Sequence, residues 1–105
     1  MHLSTILALA ALTSVAAVPA FAAERPQRLG LCASCHGEAG HASATEIPNL
    51  AGQNLAYLRS AIAQYKSGKR DFPAMRAALG MLNAAEIDAI LAWYAQQPSA
   101  APRTP

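Results

Sequence analysis

Cys32-Ala33-Ser34-Cys35-His36 is a Cys-x-x-Cys-His run, the attachment signal of a c-type haem. The chemistry asks for those residue types at that spacing. Two thiols three positions apart both reach the vinyl groups along one porphyrin edge and form two thioethers. The residue after the second thiol is then carried under the ring, where an imidazole nitrogen binds the iron. The same cysteine spacing also occurs in thioredoxin-like redox pairs, zinc sites and structural disulfides. A zinc site needs about four ligands, and no second Cys/His pair exists here. A thioredoxin motif follows a strand in a βαβ pattern, which this chain lacks. Haem attachment is the reading that remains in front.

The rest of the composition agrees with it. At 105 residues the chain makes one small domain, and its 53% hydrophobic content is inflated by alanine, with 6% aromatic residues. Such a domain has a thin core and gains from a cofactor as a large flat apolar element. Both cysteines of the chain belong to the motif. One haem per chain is therefore expected, bound through Cys32 and Cys35 with His36 on the iron.

Residues 1–22 read as an export signal. Leu3 to Val18 is rich in alanine and leucine, and Pro19 and Ala20-Phe21-Ala22 follow, which suits cleavage before Ala23. The n-region carries no Lys or Arg, only the α-amino group and His2. The competing reading is an uncleaved membrane anchor, since Leu3 to Ala23 is nearly long enough to span. Ser4, Thr5, Thr13, Ser14 and Pro19 interrupt that run. Cleavage is preferred, leaving a domain over 23–97, a disordered proline-rich tail over 98–105 and no stable membrane insertion. A periplasmic location suits the chemistry, because bacterial c-type haem is attached outside the cytoplasm.

All formal charges lie beyond the signal, so the mature domain keeps the net +2, too mild to imply nucleic acid. Five cations (Arg59, Lys66, Lys69, Arg70 and Arg76) stand against Asp71 alone between residues 59 and 76. That run is either a solvated face, or a docking patch or partner of haem propionates.

Three helices and no convincing strand are expected. Glu24 to Cys35 forms the first, with Pro26 acceptable in its opening turn. Asn54 caps the second, which runs to about Ser67 with Leu55, Leu58, Ile62 and Tyr65 along one face, and Gly68 stops it. Asn83 and Glu86 make a capping-box start for the third, with Ile87, Ile90, Leu91 and Tyr94 as its apolar stripe, and Pro98 ends it. Gly37 to Gly52 and Gly68 to Leu82 are read as connectors.

With these residues in view the chain resembles the class I c-type cytochromes. It is most similar to the small monohaem bacterial type that also forms one half of dihaem cytochromes c. The resemblance runs from about Leu31 to Ala95. It rests on Cys32 to Gly37, Ile47-Pro-Asn-Leu-Ala-Gly-Gln53, Tyr57-Leu58, Tyr65-Lys-Ser-Gly-Lys-Arg70, Met75 and the Leu82 to Tyr94 helix. It implies an all-α small cytochrome c fold, three main helices wrapped around one covalently attached haem, with the terminal helices crossing. Two positions depart from the family. The glycine usual where the first helix crosses the last is not matched within Glu24 to Leu29, and Ala61 stands where the second helix often has Gln.

The sixth ligand comes from the other face of the ring. Met75, Met81 and His41 are the neutral candidates, since Met1 and His2 leave with the signal. His41 follows His36 by five residues, too few to travel around the ring edge and return over the iron. Met81 directly precedes Leu82 and the Asn83 cap, a place for an apolar residue that staples a helix start. Met75 lies in the preceding loop, where similar cytochromes place their axial Met. Its competing role is to fill a gap in a small core. Resemblance also gives the carbonyl of Pro48 as acceptor for the second N–H of His36. Tyr57, Arg59, Trp93 and Tyr94 are candidates for propionate or haem-edge contacts, and equally for plain helix packing.

His/Met coordination fills both axial positions with neutral ligands and raises the reduction potential. It implies a periplasmic one-electron carrier rather than an enzyme, shuttling between redox protein partners, or the haem subunit of an oxidoreductase complex. The alternatives are a five-coordinate haem enzyme or gas sensor, and a non-haem CxxC redox protein.

Overall fold

The computed structural model describes residues 1, 3–15 and 24–99. The expected cleavage site at Ala20 to Ala23 and the last six residues of the expected tail lie outside the described residues. Four helices and no strand are present among the described residues, and the order is α1 (Gly30–His36), α2 (Leu55–Ser67), α3 (Pro73–Gly80) and α4 (Ala84–Ala95). The all-α class expected from the resemblance is what the chain adopts.

Helices α2 and α4 start and stop where their side chains dictate. Asn54 accepts from the Tyr57 amide to open α2, and Gly68, in the left-handed region, closes it. Asn83 and Glu86 form a reciprocal capping box at α4: Asn83 Oδ1 accepts from the Glu86 amide at 2.8 Å, and Glu86 Oε1 accepts from the Asn83 amide at 3.0 Å.

Two expectations change. The first helix begins at Gly30, not Glu24. Pro26 biases Arg25 away from helical dihedrals, and the chain instead makes a turn in which the Leu29 amide donates to Pro26 O at 3.1 Å. The stretch read as a connector before the last helix contains α3, with Pro73 in its first turn. Proline there pre-sets φ and loses no hydrogen bond, and Met75, Ala78, Leu79 and Leu82 recur at helical spacing.

The core has two parts around α4. Leu58, Leu79, Ile87 and Leu91 form one cluster, with Met75 and Ile62 packed against it, and this joins α2 to both α3 and α4. Leu29, Ile90 and Tyr94 form the other, which seats the start of α1 on α4. The crossing is made by Leu29, which is fully buried; Gly30 beside it has open space where a Cβ would stand. No helix among the described residues is long and apolar enough to cross a membrane.

Candidate functional site

A cavity of about 340 Å³ with mostly apolar walls opens between the helices. Helix α1 brings Cys32, Cys35 and His36 to it, α3 brings Met75, and the loop after α1 brings Pro48. Cys32, Cys35, His36 and Met75, the favoured site residues of the sequence, therefore line one space. Leu58, Ala61 and Ile90 supply apolar wall from α2 and α4.

His36 is buried. Its Nδ1 lies 3.0 Å from the carbonyl oxygen of Pro48, the contact implied by the resemblance. A donating Nδ1–H fixes the ring plane and leaves Nε2 as the nitrogen able to ligate a metal.

The loop carrying this arrangement is clamped to α4 by two ring donors. Trp93 Nε1 donates to Glu38 O at 2.9 Å, and the Tyr94 hydroxyl donates to Gly37 O at 2.9 Å. In return Tyr94 O accepts from the Gly52 amide at 2.9 Å. Gly40 sits where this loop closes on itself, and its carbonyl accepts from both the Leu50 and the Ala51 amides. A Cβ on Gly40, which has φ +83°, would stand 2.5 Å from Ala51 N and 2.9 Å from the Tyr94 ring, so only glycine suits it. Arg25 pairs with Glu38 across the same loop. His41 turns outward, its Nε2 2.9 Å from the Pro98 carbonyl, and it does not line the cavity.

The electrostatics are unlike those of a dithiol redox site. Burial pushes the Cys32 thiol above its ordinary range, and a charge on Cys35 pushes it the same way. A thioredoxin-like nucleophile needs its thiol lowered instead. Nor do any three His, Cys, Asp or Glu side chains cluster as a metal site among the described residues. Two thiols, one oriented imidazole and a thioether around a mostly apolar cavity fit a haem, which needs those donors and an apolar enclosure.

The two methionines part company. Met75 is half-buried and on the cavity wall, whereas Met81 is 60% exposed and off it. Of the four edge candidates, Tyr57 and Tyr94 line the cavity. Arg59 is taken by Asp88, with Nε–Oδ1 2.8 Å and Nη2–Oδ2 3.1 Å, and faces away. Trp93 serves the Glu38 loop. Arg70 is the cation that reaches the cavity wall. Its motif was visible in the sequence, but which arginine of the segment turns inward depends on how α2 and α3 pack.

The family model described as cytochrome C oxidase, cbb3-type, subunit III matches residues 14–93. Cytochrome c-554(548) of Halomonas halodenitrificans is 43% identical over 49 residues, 47% of this chain and 59% of the relative. Cytochrome c4 of Pseudomonas aeruginosa is 33% identical over 95 residues, 90% of this chain and 47% of the relative. A protein of Stutzerimonas stutzeri named thiosulfate dehydrogenase electron acceptor is 35% identical over 69 residues, 65% of this chain and 32% of the relative. The chain thus spans between about a third and three fifths of the curated relatives that it matches.

Proposed function

Because this chain belongs to the class I c-type cytochromes and carries a covalent haem c, we propose that it is a periplasmic one-electron carrier in which His36 and Met75 are the axial ligands. The bound haem supplies a one-electron Fe(III)/Fe(II) couple. Cys32 and Cys35 anchor the group, and His36 is held at a fixed angle by Pro48 O. Met75, braced by the Leu58–Leu79–Ile87–Leu91 cluster, offers a neutral soft ligand that favours reduced iron. The mostly apolar walls, Leu58, Ala61 and Ile90 among them, would limit the water around the held group.

The observation that carries this reading is the single cavity that gathers Cys32, Cys35, His36 and Met75. Its partners are redox proteins of the dehydrogenase or terminal-oxidase class. A relative named as the electron acceptor of thiosulfate dehydrogenase and a family described as an oxidase subunit support both. The apolar residues of 3–15 are exposed and outside the helical domain, which supports their removal as a leader and export of the remainder.

The test is intact mass and a visible spectrum of protein made with haem-attachment machinery. One haem added to a chain starting near Ala23, with a low-spin six-coordinate spectrum, is expected. A haem-free mass with a Cys32–Cys35 disulfide would overturn the reading, and a high-spin spectrum would remove Met75 from the iron.

A further inference from the structure

The chain does not leave the molecule at the end of α4. Pro98 has no N–H with which to continue a helix, and Gln97 turns back on the last turn. Its Nε2 donates to Trp93 O at 3.0 Å and its amide to Tyr94 O at 3.1 Å. Pro98 and Ser99, the first two residues of the expected tail, then meet the loop of residues 37–52 near both of its ends. His41 Nε2 lies 2.9 Å from the Pro98 carbonyl oxygen. That oxygen can only accept, so Nε2 carries the proton and donates. At Gly52 the fit leaves no room for a side chain. A Cβ there would collide with Ser99 Oγ and stand 3.1 Å from Gln97 O and 3.3 Å from Ser99 N.

What the loop carries gives these contacts a consequence. Residues 37–54 form no helix or strand, so the loop keeps its shape through cross-links. Next to His41, the buried Ala42 donates its amide to Asn49 Oδ1 at 2.8 Å. Next to Asn49, the Pro48 carbonyl lies 3.0 Å from His36 Nδ1. A continuous series therefore runs from the chain after α4 to the His36 ring: Pro98 O to His41, the Ala42 amide to Asn49, and Pro48 O to Nδ1. Partners of this outer kind set the plane of a ligating imidazole.

We propose that residues 97–99 are a strap across the haem-side loop, latched by His41. His41 is then a positioning residue for His36, although it does not line the cavity. This rests on the haem reading of the cavity and gives the segment beyond the last helix a part in it. Pro98 suits the latch, because its ring fixes φ and little freedom is lost in presenting the carbonyl.

Two readouts of the holoprotein test it. The shifted haem methyl signals of the ferric protein report the plane of the axial imidazole, and amide hydrogen exchange reports local opening of the loop. His41→Leu is expected to change the methyl pattern and to speed exchange several-fold at the Leu50, Ala51 and Gly52 amides, which are bonded in this loop. Amides inside α2 should be unchanged. His41→Gln, whose side chain places an N–H near the former Nε2, is expected to restore both readouts. A chain ending at Gln97 removes the acceptor and is expected to match His41→Leu. It carries the test should His41→Leu yield no holoprotein. Wild-type signals in His41→Leu, or no rescue by His41→Gln, would overturn the proposal. So would faster exchange with an unchanged methyl pattern, because the strap would then hold the loop without orienting the ring. Failure of the haem reading itself looks different, since the wild-type mass would lack haem altogether.

Discussion

Met75 and Met81 are chemically the same side chain, and burial sets them apart, with Met75 half-buried on the cavity wall and Met81 exposed. Thioether ligation gives ferric haem a weak near-infrared sulfur-to-iron band and gives the ferrous protein a strongly shifted methyl resonance. Met75→Ala is expected to abolish both and to lower the reduction potential, by part of the roughly 0.8 V that axial ligands span. Met81→Ala, at a position 60% exposed, is expected to keep both signals. An exchange of these outcomes would move the ligand to Met81. Tyr94 offers a second test at this scale. Burial holds its phenol well above the ordinary value, with the charge of Glu38 acting in the same direction. A raised folded-state pKa contributes stability that is complete below the unfolded value of about 10 and is lost as pH rises through the folded value. Melting temperatures should therefore fall between about pH 9 and pH 11, and fall less steeply in Tyr94→Phe. Equal slopes in the two proteins would mean that Tyr94 ionises as readily folded as unfolded. The motif itself was legible residue by residue, because Cys32, Cys35 and His36 are adjacent in sequence. Arg70 was not, because which arginine of its segment reaches the cavity depends on how α2 and α3 pack.

Among the elements, those with complete end signals were readable and those without were not. Asn54 and Gly68 bracket α2, and the Asn83–Glu86 box opens α4, so local chemistry fixes both boundaries. Neither α1 nor α3 has a side-chain cap. Pro73, within the stretch expected to be a connector, opens α3, and Pro26, expected in the opening turn of the first helix, lies before α1 begins. The α4 box also carries energetic weight. Asn83→Ala is expected to destabilise the holoprotein by about 1 kcal/mol, read as a lower urea midpoint with unchanged slope. An unchanged midpoint would show that tertiary packing of Ile87, Ile90 and Leu91 holds the end without its cap.

Across the whole molecule, the basic segment from Arg59 to Arg76 resolves into three uses. Arg59 and Arg76 are neutralised by Asp88 and Asp71, Arg70 faces the cavity, and Lys66 and Lys69 are exposed with no ion pair among the described residues. Phe72 and Tyr57, each 49% exposed, lie on the cavity lining close by in sequence. Small, short-lived electron-transfer encounters use charge to set how fast partners meet more than how tightly they hold. Reversing Lys66 and Lys69 to Glu is expected to slow electron transfer with an acidic partner at low ionic strength. The difference should fade as added salt shortens the Debye length from about 30 Å at 0.01 M to about 8 Å at 0.15 M. Rates indifferent to both changes would leave the two lysines as ordinary solvated surface.

The hydrogen bond from Trp93 to Glu38 O also gives the molecule a built-in lamp. This is the sole tryptophan of the chain, and it is tied to the loop that begins one residue after His36. Haem absorbs at the wavelengths where indole emits, so the folded holoprotein is expected to be dark. Anything that lifts residues 37–40 away from α4 lengthens the separation and brightens the emission, even while the helices stay formed. Fluorescence that rises ahead of the loss of helical circular dichroism would mark the release of this loop as the first part of the structure to open.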